Sequence, residues 1–152
     1  MKRVIAAVLL LAIGLAGCAS KESEPTDEPA DSAYKWICDL APSQENNRNS
    51  EGAFIDLADG RILFAYSRYG SGGFDDGAPA DIYAVISQDG GESFGEPFAL
   101  WTRQQAQADN VMSVSLLRME NGDIGLFYLA KRNVDQCLVY LVRSADEGKT
   151  FG

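Results

Sequence analysis

The sequence predicts an all-β fold built from antiparallel β-propeller blades. Three observations carry that expectation. From about Tyr34 onward, short runs rich in β-branched and aromatic residues alternate with turn residues, and no long stretch has helical periodicity. Asp59-Gly60 and Asn121-Gly122 interrupt two of these runs. Such dipeptides mark hairpins, because a type I′ turn needs positive φ at both central positions. The arrangement also occurs twice. The hairpin glycines are 62 residues apart, and two octets, "SQDGGESF" from Ser87 and "SADEGKTF" from Ser144, start 57 residues apart. A repeat of roughly this length made of short strands suggests blades of four strands.

The chain begins with segments that precede the fold. Residues 1–17 read as a signal peptide: a basic "MKR", an apolar "VIAAVLLLAIG" too short to span a bilayer, then small residues. Leu15-Ala16-Gly17-Cys18 resembles the bacterial lipobox, which implies cleavage before Cys18 and a diacylglycerol anchor on its sulfur. Residues 18–33 form an acidic tether without large apolar side chains, expected to be disordered. With Ala19 and Ser20 after the cysteine, resemblance to Gram-negative lipoproteins implies a lipid-anchored place in the cell envelope, at the outer membrane or cell surface. Of 13 basic residues Lys2 and Arg3 would be lost on cleavage, leaving 11 against 22 acidic ones and a net charge of −11. Such a chain repels nucleic acid.

The elements of residues 34–152 follow in order. "EGAFIDLADGRILFAYSRY" reads as a hairpin, and "DIYAVISQDGGESF" as a strand running into the first octet. "RQQAQADN", 103–110, is the one stretch suited to a helical turn. "SVSLLRMENGDIGLFYLAK" repeats the hairpin and "CLVYLVRSADEGKTF" repeats the strand with its octet. At 46% apolar and 23% charged residues, the composition supports a packed core. Cys38 and Cys137 are a possible disulfide or two free thiols. The absence of histidine excludes Ser/His and Cys/His nucleophile schemes and histidine metal sites.

Because antiparallel strands alternate direction, their connections alternate between two faces. The turns at Asp59-Gly60, Asp89-Gly91, Asn121-Gly122 and Asp146-Gly148 belong to one, tight face. Residues about 46–51, 68–81, 102–112 and 131–136 belong to the other. This second face carries Arg48, Arg68, Tyr69, Asp75, Asp76, Asp81, Asn110 and Lys131, and varied loops on a rigid scaffold are where function concentrates.

The octets resemble the Asp-box, or bacterial neuraminidase repeat, of the sialidase superfamily. Their matching positions are Ser87, Asp89, Gly91 and Phe94, then Ser144, Asp146, Gly148 and Phe151. By average composition the pattern should arise by chance at roughly one or two sites per million, so two copies at blade spacing make coincidence implausible. "RNSEGAFIDLADGRILFAYSRYG" is similar to the opening of sialidases, with an arginine before the first strand and another ending the second. The resemblance covers about residues 46–152 and implies a six-bladed propeller, of which about two blades are present. The chain is therefore expected to be an N-terminal fragment or truncated product, incomplete for catalysis by itself. Within the boxes, Ser and Asp serve as turn-forming acceptors; each box has too few carboxylates for a calcium cage.

The resemblance implies an exo-sialidase-like glycosidase that removes terminal acidic sugars, sialic acid among them, from glycans. Such an enzyme holds the sugar carboxylate with arginines and uses a carboxylic acid and a tyrosine nucleophile. Arg48 and Arg68 match two arginines of the substrate site, and Asp81 a residue of the pocket wall. Asp75 is the expected acid/base, with Asp76 its close rival because of one extra residue in the loop. Arg48-Asn49-Ser50 departs from the Arg-Ile-Pro usual at the first arginine, which puts sialic acid itself in question. No cofactor or metal is expected. The alternative is a non-catalytic propeller that binds glycans or proteins at the cell surface.

Overall fold

In the computed structural model, which describes residues 35–152, seven strands form two antiparallel sheets. The signal peptide 1–17, Cys18 and the tether to residue 33 lie outside the described residues. The first sheet has the order β1 (Arg48–Asp56), β2 (Ile62–Tyr69), β3 (Ala80–Ser87) and β4 (Phe98–Trp101). One helical turn, α1 (Arg103–Ala106), then leads to β5 (Asn110–Arg118), β6 (Ile124–Asn133) and β7 (Gln136–Ser144), which form the second sheet in that order. Each sheet is a meander whose strands pair with their sequence neighbours. This supports a partial, propeller-like fold, and the short helix falls where the sequence allows one.

The hairpin turns differ from the expected type I′. Only the glycine has positive φ, +84° at Gly60 and +91° at Gly122. Gly60 N–H donates to the Leu57 carbonyl at 2.9 Å and Leu57 N–H to that of Arg61 at 2.8 Å; Met119, Gly122 and Asp123 repeat the pattern. These are three-residue loops, a type I turn followed by a glycine in the left-handed region. The Asp59 and Asn121 side chains explain the preference. Each accepts from the backbone N–H two residues on, which supports a type I turn without left-handed backbone at their own positions.

Alternation along the strands decides what each sheet buries. In β2, Leu63, Ala65, Ser67 and Tyr69 point toward the second sheet, while Phe64, Tyr66 and Arg68 point away. In β6, Ile124, Leu126, Tyr128 and Ala130 answer from the other side. With Ile82, Ala84, Val111 and Val114 they make one core between the sheets. Leu63 and Leu126 are buried almost completely, and truncating either to Ala would cost about 2–5 kcal/mol. A smaller cluster of Tyr69, Ala78, Ala80 and Met112 lies at the end of the sheets where the longer loops are. The first strand of each sheet carries an irregularity near that end, at Glu51 (φ +28°) in β1 and Ser113 (φ +54°) in β5. Ser113 N–H there donates to the buried Ser67 hydroxyl at 2.9 Å, joining the two sheets. Among the described residues no helix is long and apolar enough to cross a membrane.

Candidate functional site

The two Asp-boxes have matching hydrogen bonds. Ser87 Oγ donates to Asp89 Oδ1 at 2.8 Å and accepts from Gly91 N–H at 2.8 Å; Ser144 does the same with Asp146 (2.7 Å) and Gly148 (2.8 Å). The aspartates accept further from Ser93 and from Thr150. These bonds, led by the Ser93 or Thr150 hydroxyl, hold each carboxyl down at about 2. With their Ser and Asp side chains bonded within the octet, the boxes act as turns that end β3 and β7. Among the described residues no group of three or more acidic or cysteine ligands gathers that could hold a metal.

The opposite ends of the strands assemble a different cluster. Arg48 begins β1 and is in register with Tyr69, the last residue of β2. Its guanidinium lies 3.9 Å above the Tyr69 ring and its Nη2 is 2.7 Å from Asp76 Oδ1. Asp76 belongs to the 70–79 loop between β2 and β3. Lys131, near the end of β6, donates from Nζ to the Asp76 carbonyl at 2.7 Å. Tyr69 is fully buried, and its hydroxyl donates to the Met112 sulfur at 3.1 Å. The Arg48 hydrogen bond, helped by the charges of Arg48 and Lys131, holds the Asp76 carboxyl below the ordinary range. The same bond raises Arg48, and burial raises the Tyr69 phenol. An arginine stacked on an aromatic ring presents a fixed planar fork suited to a carboxylate. Here the protein's own carboxylate takes it. Arg48 Nε is buried without a partner, so the fork is not fully satisfied by Asp76.

The other sequence-predicted residues lie elsewhere. Asp75 Oδ1 accepts from Gly77 N–H at 2.6 Å and its carbonyl from Ala78 N–H at 3.1 Å, an Asx turn that closes the loop tip. Arg68 leaves the sheet on the side opposite Arg48 and stacks over Tyr83 at 4.3 Å. There it lines a cleft of about 440 Å³ with Asn46, Asn49, Tyr66 and Glu96, under the segment from Asp39 to Ser43. Asp81, in register with Arg68, accepts from the Arg103 backbone N–H at 2.6 Å and thereby fixes the start of α1. Thus Arg48 is brought together with Asp76, and not with Arg68 or Asp81. The sequence places Tyr69 and Lys131 on this face but indicates neither the ring contact nor the Lys131 bond. The run "SRYG" contains the signal for the first, since the residue after Arg68 must point the other way.

No protein-family model and no curated protein matches the chain. Among solved structures it is similar to the Hadza microbial sialidase Hz136, with a TM-score of 0.60 and 13% identity over 71% of this chain and 25% of that one. It is also similar to a protein of unknown function from Dyadobacter fermentans, with a TM-score of 0.57 and 19% identity over 73% of this chain and 36% of that one. The chain thus spans about a quarter and about a third of the length of these structures. At this identity the likeness concerns the fold. The chain shares part of the fold of these two structures.

Proposed function

We propose that this chain supplies the first blades and part of the substrate site of an exo-acting, sialidase-like glycoside hydrolase. Its substrates are glycans ending in an acidic sugar. The observation that carries this reading is the Arg48–Asp76 pair, at 2.7 Å, at the loop end of β1, in a chain whose fold is similar to part of a sialidase structure. In the reading, the sugar carboxylate takes over the Arg48 fork and Asp76 is released beside it. Losing its hydrogen-bond donor and gaining an anionic neighbour both raise a carboxyl pKa, as a general acid requires. Of the two candidate acids, Asp76 is the one whose carboxylate is aimed at Arg48, whereas Asp75 is spent on its own turn. Arg68 and Asp81 support the site from behind, through the sheet and through α1.

The binding-only alternative is favoured by one observation, the depressed Asp76 carboxyl, which stays charged while it holds Arg48. Hydrolysis of a fluorogenic sialoside by the full-length protein separates the two readings. The enzyme reading expects turnover that falls by roughly 10²-fold or more in Asp76→Asn and in Arg48→Ala. Undiminished turnover in Asp76→Asn returns the acid role to Asp75. Absence of turnover, with retained binding of the sialoside, establishes the glycan-binding module instead.

Export and anchoring through Cys18 belong to the same proposal and put the site outside the cytoplasm, at the cell envelope. Incorporation of labelled palmitate, abolished in Cys18→Ser, is the expected result. Equal labelling of both proteins would remove the anchor.

A further inference from the structure

The 70–79 loop bears both candidate acids and is held from both sheets, on the first by the Arg48–Asp76 bond at 2.7 Å and a few backbone contacts. Gly70 N–H donates to the Pro79 carbonyl at 2.8 Å and closes its base, and Asn47 Nδ2 donates to the Gly73 carbonyl at 3.2 Å. Arg48 holds the Asp76 carboxylate from β1, but the side-chain bonds to the backbone around Asp76 come from the second sheet. Lys131 Nζ holds the Asp76 carbonyl at 2.7 Å, and Asn110 Nδ2 holds the carbonyl of Ala78. Asn110 and Lys131 are register partners, the first residue of β5 opposite the end of β6. One cross-strand pair thus grips the carbonyls on both sides of Gly77, the residue whose N–H closes the Asp75 turn.

Asn110 is 1% exposed, and its Oδ1 has no partner. A half-satisfied amide is a poor residue for packing alone, since an apolar side chain of that size would leave no buried acceptor unpaired. Its one side-chain bond goes to the acid loop. Lys131 likewise uses a flexible cationic stem to reach a neutral carbonyl in place of a carboxylate.

We propose that Asn110 and Lys131 are positioning residues by which the second blade holds the 70–79 loop with Asp76 in reach of Arg48. The role of Asp76 rests on the glycosidase reading; the grip on the loop does not. It follows that the loop is ordered by packing of the two blades, and not by the first blade alone.

Amide hydrogen exchange on the full-length protein tests the grip without reference to catalysis. In Lys131→Met and in Asn110→Ala, the Gly77 and Ala78 amides should exchange roughly tenfold or more faster, while protection within β5 and β6 is retained. Lys131→Arg, which keeps a long cationic donor, should restore the slow exchange. If the wild type hydrolyses a sialoside, kcat should fall roughly 10- to 100-fold in Lys131→Met with KM little changed. If it does not, the glycosidase reading fails and the exchange result still decides the positioning. Unaltered exchange at Gly77 and Ala78 in Lys131→Met would overturn the proposal. So would a loss of protection spread evenly over β5 and β6, which would make the pair merely structural. Should Asn110→Ala fail to fold, the variants of the half-buried Lys131 decide the matter.

Discussion

The carboxylate of Glu147 accepts two hydrogen bonds from the guanidinium of Arg118, at 2.7 and 3.0 Å. Both residues also reach the first sheet. Glu147 Oε2 accepts from Ala58 N–H and Arg118 Nη2 donates to the Asp56 carbonyl, each at 2.7 Å. The second Asp-box is therefore more than a turn: its variable position joins the second sheet to the hairpin of the first. The cost is a non-glycine residue at φ +59°. Replacing Glu147 by Gln keeps size and backbone but removes the charge. Because the pair is about one-third exposed, the loss should be only on the order of 1 kcal/mol, a fall in Tm of about 3–5 °C. Thermal denaturation of Glu147→Gln, Arg118→Met and the double variant checks it. Additive losses would mean that the pair is not coupled.

The Asp-boxes should also set part of the acid limit of the fold. Their hydrogen bonds lower the carboxyls of Asp89 and Asp146 from 3.8 to about 2. The unfolded chain therefore takes up protons at these positions first as the pH falls. The stability they contribute is whole above 3.8 and is lost progressively toward about 2. Asp89→Asn and Asp146→Asn keep the acceptor oxygen without the titration. Relative to the wild type, each should be less stable near neutral pH and lose less on acidification through that window. Parallel Tm curves between about pH 5 and 2 would show that the boxes do not carry the acid response.

How much of this was legible in the sequence differs by element. The strands, the two hairpins and the repeat were legible because each rests on local chemistry: β-branched runs, Asp-Gly and Asn-Gly turns, and two octets with the same polar pattern. The hairpin type was misjudged because the Asp59 and Asn121 side chains favour a type I turn that a dipeptide rule does not weigh. The candidate site was legible only in outline. Position in the chain put Arg48, Arg68, Asp75, Asp76 and Asp81 on one end of the sheets, but strand alternation separates Arg48 from Arg68. Which of two adjacent aspartates turns toward Arg48 depends on the loop's own Asx turn, formed through Gly77. Asn110 and Lys131 bond across from the second sheet, and a contact between residues 32 apart, as from Asn110 to Ala78, leaves no mark in local pattern.

The cysteines give a last, simple expectation. Cys38 precedes β1, beside Gly52, Phe64 and Tyr66 on the side of the first sheet that faces away from the second. Cys137 sits on β7, the third strand of the second sheet, opposite Lys131. Both are free in the structure, which is the second of the two alternatives the sequence left open. Their reactivities should differ. Cys137 is exposed, whereas burial first, and the charge of Asp39 second, push the Cys38 thiol up. Only the thiolate attacks an alkylating agent, so a raised pKa and partial cover both slow Cys38. Timed labelling with iodoacetamide near pH 8, read by peptide mass, should modify Cys137 well before Cys38 without any reductant. Labelling of the pair only after reduction would mean that a disulfide joins them, and that the segment before β1 takes another course.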